Sequence, residues 1–257
     1  MHILISNDDG IFAPGISALH TAMVGLGEVT VVAPDAERSA VGHAITISDP
    51  IKTRLVTRDG GFSGHAVGGT PADSVKLAVC ALMEDPPDLL VSGINLGPNA
   101  GISVIYSGTV SAATEGTILG IPSMAVSLAT FQDPIWETAI AVTRRLARRL
   151  AKNALPPGVL LNVNVPNLPL REIRGYAVTS MGGSRFIETF DRRSDPRGNL
   201  YYWMDGYLEP FGPSEGTDLR ALDEGYVSLT PIQFDLTDRA AMERLRGWHL
   251  SGADDAG

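Results

Sequence analysis

The chain has one cysteine in 257 residues, and this excludes a disulfide within the chain. Cys80 falls in an apolar helical pattern, so we expect its thiol to be buried. The five histidines, at positions 2, 20, 43, 65 and 249, are scattered along the chain, and no zinc-site spacing occurs among them. The sequence therefore predicts neither a disulfide framework nor a zinc site.

Positive charge and long apolar runs are lacking too. The chain has 20 Lys and Arg against 29 Asp and Glu, a formal net charge of -9, which argues against nucleic-acid polymers and anionic membranes as partners. No apolar stretch approaches the roughly 20 residues that a membrane-spanning helix needs. Two acids, Asp8 and Asp9, interrupt the amino-terminal segment before a secretory signal could form. We therefore expect a cytoplasmic protein.

Two nucleotide-binding fingerprints are missing as well. No G-x-G-x-x-G follows the first predicted strand, and no G-x-x-x-x-G-K-[ST] occurs. The arginine pairs at 144–145 and 148–149 lie on a predicted helix and are most simply a solvated basic face. A dinucleotide-binding domain and a P-loop enzyme are therefore not predicted.

Apolar segments of strand and helix period alternate through the first two thirds of the chain. The predicted buried strands are 3–5, 29–33, 88–94, 123–128 and 159–165, and the predicted helices include 14–26, 71–83 and 135–152. Strand, helix and strand in such close succession imply right-handed parallel crossovers. We therefore predict an α/β fold with a central, mostly parallel sheet. The segments 51–56 and 63–67 are predicted to form a hairpin outside that sheet.

The pattern changes after Pro166. The stretch 185–200 is polar, and the aromatic residues Tyr201, Tyr202 and Trp203 follow it. This predicts an extended arm, which serves either as a subunit contact or as a flap over the site. The predicted division is a core at 1–180 and an arm at 181–257, with a short helix near the end and a disordered tail from Ser251. Whether the strand-like stretch 226–233 returns to the core is left open.

Polar residues follow the first predicted strand directly, as Asn7, Asp8, Asp9 and Gly10. Neighbouring side chains on a regular strand point to opposite faces, so both acids can face one site only where the chain leaves the strand, which Gly10 permits. Adjacent carboxylates repel each other unless a cation lies between them, and a hard divalent metal ion is the usual one. A solvated turn is the alternative, since these are common turn residues.

Two further strand ends carry polar residues at the same predicted edge of the sheet. Ser39 lies in the loop after the second strand, and Asn95 follows the strand 88–94. Together with Asp8 and Asp9 they form an oxygen-only set, which suits magnesium, manganese or calcium rather than zinc. His43 shares the Ser39 loop, as a donor to phosphate, as a proton donor or as a structural residue.

The stretch Ser107-Gly108-Thr109 begins a predicted helix of small residues. Its first turn presents free backbone amides, which bind anions. Ordinary helix capping by a serine or threonine is the alternative. With a metal ion nearby, these amides complete a phosphate site, because phosphoryl transfer needs charge neutralisation at the phosphate oxygens. Phosphate-ester hydrolysis is therefore the predicted chemistry.

Four motifs in this order resemble the SurE survival-protein family. They are Ile5-Ser6-Asn7-Asp8-Asp9-Gly10, the loop from Ala33-Pro34 to Arg38-Ser39, Val91-Ser92-Gly93-Ile94-Asn95 with Gly97 and Asn99, and Tyr106-Ser107-Gly108-Thr109-Val110. The resemblance covers nearly the whole chain. It implies a Rossmann-like three-layer fold and a metal-dependent nucleotidase that hydrolyses nucleoside 5'-monophosphates, and also 3'-nucleotides and short-chain polyphosphate.

The resemblance also implies roles for individual residues. Asp8, Asp9, Ser39 and Asn95 are the implied ligands of one divalent metal ion per subunit, and Asp8 and Asp9 are the candidate catalytic residues. The candidate phosphate-binding residues are Asn95, Ser107, Gly108 and Thr109, with His43 added from its place in the Ser39 loop. Homodimers or homotetramers built through the arm are implied too. The rival interpretations are a non-enzymatic magnesium-binding receiver-like domain and a nucleotide sensor without turnover.

Overall fold

The computed structural model describes residues 1–58, 61–153 and 155–248. The strands are β1 (His2–Ser6), β2 (Glu28–Pro34), β3 (Thr53–Thr57), β4 (Ser63–Val67), β5 (Leu89–Leu96), β6 (Ser123–Ala129), β7 (Val159–Pro166), β8 (Gly175–Val178), β9 (Ser184–Ser194), β10 (Leu200–Pro210) and β11 (Tyr226–Gln233). The helices are α1 (Pro14–Met23), α2 (Pro71–Leu77), α3 (Ser103–Tyr106), α4 (Gly108–Ile118), α5 (Trp136–Leu150), α6 (Asp218–Asp223) and α7 (Arg239–Arg246). A π-helical turn, Ala78–Leu82, continues α2, and a 3-10 turn spans Leu170–Glu172. In the described ranges, no helix has the length and apolar character that crossing a membrane requires.

Nine of these strands form one sheet in the order β3-β4-β2-β1-β5-β6-β7-β11-β8. β1 pairs in parallel with β2 on one side and with β5 on the other, and β5, β6 and β7 continue the parallel arrangement. β11 pairs antiparallel with β7, so the strand-like stretch 226–233 returns to the sheet. The predicted α/β fold with a central, mostly parallel sheet is confirmed.

The sheet separates two hydrophobic cores, and alternate side chains of β1 point into each of them. Ile3 and Ile5 belong to the core that α1 and α5 cover, whereas Leu4 belongs to the core that α2 and α4 cover. All three side chains are fully buried. An uninterrupted apolar run is therefore what this position needs, because neither face of β1 meets water.

The strand order makes β1 the point where the sheet changes direction. From β1 the chain adds β2 and then the β3–β4 pair on one side, and it returns to the other side of β1 with β5. In open parallel sheets, ligands bind at the carboxyl ends of the strands beside such a switch point. The loops that follow β1, β2 and β5 are therefore the ones in position to form a site.

The β3–β4 hairpin was predicted outside the sheet, and this prediction is wrong. β4 pairs in parallel with β2, through Val32 to Pro34 beside His65 to Val67. Gly64 lets the two strands approach, since a Cβ atom on it would lie 2.8 Å from the side chain of Val31. The hairpin therefore forms an edge of the main sheet.

The prediction of a buried thiol at Cys80 is wrong as well, since this residue is exposed. The buried residues of the helix are those from Pro71 to Val75 and Ala78, and the apolar ones that pack into the core include Val75 and Ala78. Cys80 comes two residues after Ala78, in the π-helical turn, and therefore points away from that core.

The arm is a separate two-stranded antiparallel sheet, in which β9 and β10 are 11 residues long each. Its exposed large apolar side chains are Phe190, Leu200, Tyr201, Tyr202, Trp203, Met204, Tyr207 and Leu208. The extended arm and the short helix near the end, α7, are present as predicted. The predicted tail from Ser251 lies outside the described residues, and the division into a core at 1–180 and an arm at 181–257 stays a prediction.

The amino end of α1 lies directly against β5. A Cβ atom added to Gly15 would lie 2.0 Å from the carbonyl oxygen of Ile94, which is shorter than any side chain tolerates. Glycine at this position therefore lets the helix start close to the strand end that precedes Asn95.

We expect Gly15→Ala to lower the free energy of unfolding by about 2–3 kcal/mol, because the added methyl group pushes α1 away from β5. Gly68→Ala is the matched control: its Cβ atom would lie 3.6 Å from the carbonyl oxygen of Lys52, an ordinary contact, and the expected change is within about 0.5 kcal/mol. Urea unfolding measures both. Equal stability of Gly15→Ala and the wild type would contradict the close approach.

Candidate metal and phosphate site

The turn after β1 holds two carboxylates side by side. The side-chain nitrogen of Asn7 donates to the carbonyl oxygen of Gly10 over 3.0 Å and closes the turn. Gly10 has φ +94°, and a Cβ atom there would lie 3.1 Å from the backbone of Ala36, so glycine is needed at this position. Asp8 is 5% exposed and Asp9 is half-buried on this fixed turn.

Asp8 meets the amino end of α4. The hydroxyl of Thr109 donates a hydrogen bond to Oδ1 of Asp8. Gly108 lies so close that an added Cβ atom would be 2.7 Å from Cβ of Asp8. Burial raises the pKa of Asp8, and the hydrogen bonds from Thr109 offset only part of that effect. The predicted phosphate segment and the first predicted acid therefore form one site.

Asp9 lies next to two other negatively charged side chains. Its pKa is raised to about 7 by burial, by the negative charge of Asp8 and by that of Glu37. None of the ion pairs among the described residues includes Asp8 or Asp9. A carboxylate pair with a third acid nearby and no basic partner is a favourable place for a cation.

The loop after β2 joins this edge of the sheet. The backbone amide of Arg38 donates to the carbonyl oxygen of Asp8 over 2.7 Å, which fixes the loop to the end of β1. The exposed hydroxyl of Ser39 donates to Glu37 over 2.7 Å. Ser39 directly follows Arg38, so it lies in the segment that is held at the end of β1. Glu37 was missed in the sequence, although it lies in the same polar loop.

Asn95 lies at the end of β5, the neighbour of β1. The two strands are in parallel register at Ser6 and Ser92, and an irregularity in β5 after Ser92 precedes Asn95. The side-chain nitrogen of Asn95 donates to the carbonyl oxygen of Gly97 over 2.8 Å. This bond fixes the amide, so its oxygen remains available as an acceptor or ligand.

Ser107 caps α4, because its hydroxyl oxygen accepts from the backbone amide of Val110 over 3.1 Å. The capping alternative is therefore correct for this side chain. The first turn of the helix still lacks internal acceptors for its amides, and the Thr109 amide lies close enough to Asp8 to lower the pKa of that acid. The amino end of α4 therefore faces a negative group already.

His43 does not join the acid pair in the contacts of the described residues. Its Nε2 lies 2.8 Å from Oε2 of Glu115, and its side chain is 32% exposed. Lys76 bonds the same carboxylate. The proposed role of His43 as a phosphate donor stays a prediction, and Glu115 and Lys76 were not singled out in the sequence.

The donor set fits a hard cation better than a soft one. Across residues 1–58, 61–153 and 155–248, no three His, Cys, Asp or Glu side chains are grouped closely enough to hold a metal ion by themselves. The predicted set has only two such residues, Asp8 and Asp9, and adds the hydroxyl of Ser39 and the amide oxygen of Asn95. Nearby, the side-chain oxygen of Asn7 is buried without a hydrogen-bond partner. Oxygen atoms with excess negative charge suit magnesium, manganese or calcium.

The raised pKa of Asp9 predicts a pH-dependent stability in the presence of chelator. The unfolded chain releases the Asp9 proton near pH 3.8, whereas the folded protein keeps it up to about pH 7, so stability falls as pH rises between these values. Asp9→Asn removes this loss. We therefore expect the free energy of unfolding of the variant, relative to that of the wild type, to rise by about 1–2 kcal/mol from pH 5 to pH 8, after allowance for solvent screening. Urea unfolding at both pH values measures the gain.

The control for this experiment is Asp85→Asn, an exposed acid before the amino end of β5, at the opposite edge of the sheet. Its stability relative to the wild type is expected to be the same at both pH values. A gain for Asp9→Asn that does not change with pH would contradict the electrostatic conflict at Asp9.

Known proteins resemble this chain over nearly its whole length. The family described as Survival protein SurE matches residues 3–188. The protein named 5'-nucleotidase SurE from Syntrophobacter fumaroxidans is 52% identical over 250 residues, which cover 97% of this chain and 100% of that protein. The protein of the same name from Syntrophus aciditrophicus is 51% identical over 247 residues, with 96% and 93% covered.

A solved structure gives the same result. The crystal structure of the SurE protein from Aquifex aeolicus has a TM-score of 0.83 and 42% sequence identity, and the match covers 96% of this chain and 99% of that one. The resemblance that the four sequence motifs indicated is therefore confirmed. This chain belongs to the SurE survival-protein family.

Proposed function

We propose that the chain is a nucleotide phosphomonoesterase that hydrolyses nucleoside 5'-monophosphates to nucleoside and phosphate. The predicted enzyme class is confirmed by the curated relatives, which are named 5'-nucleotidase SurE and match nearly the whole chain. The observation that supports the proposal most directly is the contact between Asp8 and the amino end of α4. The rival interpretations, a receiver-like domain or a nucleotide sensor without turnover, are not favoured, because the relatives carry an enzyme name.

We propose that Asp8, Asp9, Ser39 and Asn95 hold one divalent metal ion per subunit. The proposal is supported by the unpaired negative charge at Asp8 and Asp9 and by the fixed amide of Asn95. When bound, such an ion neutralises phosphate oxygens and lowers the pKa of a water molecule that it binds. Magnesium and manganese are the ions that best suit these ligands.

The remaining roles concern the phosphate group. The backbone amides of Gly108 and Thr109 lie where a phosphate next to Asp8 would be bound, and the helix end favours negative charge there. Ser107 keeps this turn in place through its cap. Because these groups bind phosphate rather than base or sugar, we include 3'-nucleotides and short-chain polyphosphate among the proposed substrates.

Asp8 and Asp9 are not equivalent in this proposal. Thr109 holds Asp8 in one orientation, and Asp8 is almost fully buried. Asp9 is more exposed, so it is the better placed of the two to reach an attacking water molecule. Both are required as ligands, which makes an aspartyl-phosphate intermediate a poorer explanation.

We expect Asp8→Asn and Asp9→Asn each to reduce phosphate release from nucleoside 5'-monophosphates by about 100-fold or more, because each loses a charged ligand. A panel of nucleotides assayed with magnesium, with manganese and with chelator measures this. Asp85→Asn is the control and is expected to keep wild-type activity. Full activity in both site variants, or in chelator, would contradict the proposed site.

We also propose that the arm joins subunits into a homodimer or homotetramer. An isolated two-stranded hairpin is only marginally stable in water, yet this one extends from the core with apolar side chains exposed on both faces. Tyr202 and Met204 lie on one face and Tyr201 and Trp203 on the other, because side chains alternate along β10. A surface of this kind favours contact with a second copy.

We expect Trp203→Glu, in the middle of β10, to shift the protein to a lower oligomeric state in sedimentation-equilibrium measurements, because a charge at an apolar contact weakens association. Leu55→Lys is the matched control, since Leu55 is an exposed apolar residue on the edge strand β3. It is expected to keep the wild-type mass. An unchanged mass for Trp203→Glu would contradict the role of the arm.

A further inference from the structure

A second buried charge lies outside the proposed chemistry. Glu115, on α4, is 2% exposed, and its carboxylate bonds two groups from different segments. Nζ of Lys76, on α2, donates to Oε1 over 2.5 Å, and Nε2 of His43 lies 2.8 Å from Oε2. Burial alone would raise the pKa of Glu115, but the hydrogen bonds and charges of these two partners outweigh burial, and the pKa is lowered.

His43 belongs to the Ser39 loop, which is residues 35–48 and has no helix or strand of its own. Such a segment depends on contacts with other elements for its position. Its first half is fixed by the Arg38 amide, which donates to the carbonyl oxygen of Asp8. After Ser39, the amide of Gly42 donates to the carbonyl oxygen of Tyr106 over 3.1 Å, just before α4.

The end of the Ser39 loop is fixed to α2. The hydroxyl of Thr70 donates to the carbonyl oxygen of Ala44 over 2.7 Å. The amide and the hydroxyl of Thr46 both donate to Asp73, over 2.9 and 2.6 Å. Between these contacts, His43 is the side chain that connects the loop to α4 through Glu115.

Glu115 is too far along α4 to touch a phosphate at its amino end. It follows Gly108 by about two helical turns, which corresponds to roughly 10 Å. Any effect of Glu115 on the reaction therefore passes through the segments that it holds. It is rigid itself, because it lies within a regular helix and is buried against two partners.

We propose that Glu115 is a positioning residue, which holds the Ser39 loop through His43 so that Ser39 stays at the end of β1, where the neighbouring Arg38 amide bonds the carbonyl oxygen of Asp8. The inference rests on the proposed function, in which Ser39 is a ligand of the metal ion. Residues that do not bind the metal ion but orient its ligands contribute to metal affinity, and their substitution lowers that affinity by about 10-fold or more. The expected defect is weaker metal binding and a more mobile loop.

Two substitutions break the contact from opposite sides. Glu115→Gln keeps the shape of the side chain but removes its charge, and His43→Ala removes the loop partner while Lys76 still bonds Glu115. We expect both variants to bind manganese about 10-fold more weakly than the wild type in calorimetric titrations without substrate. Amide hydrogen exchange over residues 38–46 is expected to be faster by a similar factor.

Two controls separate this role from a general loss of structure. His43→Gln retains a side-chain donor and is expected to restore most of the affinity. Glu84→Gln, an exposed acid after the π-helical turn, is expected to bind manganese like the wild type. If Glu115→Gln does not fold, His43→Ala decides the question, because His43 is partly exposed and its loss leaves Glu115 with one partner.

The outcomes also distinguish this inference from the proposed function. Wild-type manganese affinity and wild-type amide exchange in His43→Ala would overturn the positioning role. A reduced turnover number with unchanged manganese affinity would overturn it too, since His43 would then act on the substrate directly. Absence of phosphate release from every nucleotide in the wild type would overturn the proposed function, while the binding and exchange measurements would still test the loop contact.

Discussion

Two adjacent carboxylates at the end of a buried strand are the constraint on which the rest of the structure depends. Asp8 is nearly inaccessible to water, Asp9 is partly so, and no ion pair among the described residues neutralises either. Such an arrangement is unfavourable for the protein alone, and each carboxyl therefore has a raised pKa. The two carboxyls stay in this unfavourable position because β1 is packed on both faces, so the turn after it cannot move the acids into solvent.

Three neighbouring elements adapt to this pair. α4 begins with Gly108, whose missing side chain lets the helix end approach Asp8, and Thr109 donates to that acid. The loop after β2 is bonded to the backbone of Asp8, and β5 ends next to β1 with Asn95. The acid pair at one strand end therefore has the amino end of a helix on one side and the Ser39 loop and Asn95 on the other, which is the arrangement on which the proposed metal and phosphate site rests.

Much of this could be predicted from the sequence, because the signals are local. The apolar run of β1, the acids after it and the small residues that open α4 each reflect the chemistry of neighbouring residues. One error concerns a contact between distant segments, and the other concerns a local departure from regular helix. Pairing of β4 with β2 depends on a close approach at Gly64, and the exposure of Cys80 depends on the position of a π-helical turn. Glu115 carried no signal, since its partners are 39 and 72 residues away.

Asp73 serves two segments at once. Its carboxylate accepts from the amide of Thr70, which completes the capping box at the start of α2, and it also accepts both donors of Thr46 at the end of the Ser39 loop. The pKa of Asp73 is lowered, since these hydrogen bonds outweigh burial. One side chain therefore couples the start of α2 to the end of the Ser39 loop, and replacing Asp73 would remove hydrogen bonds from both segments at once.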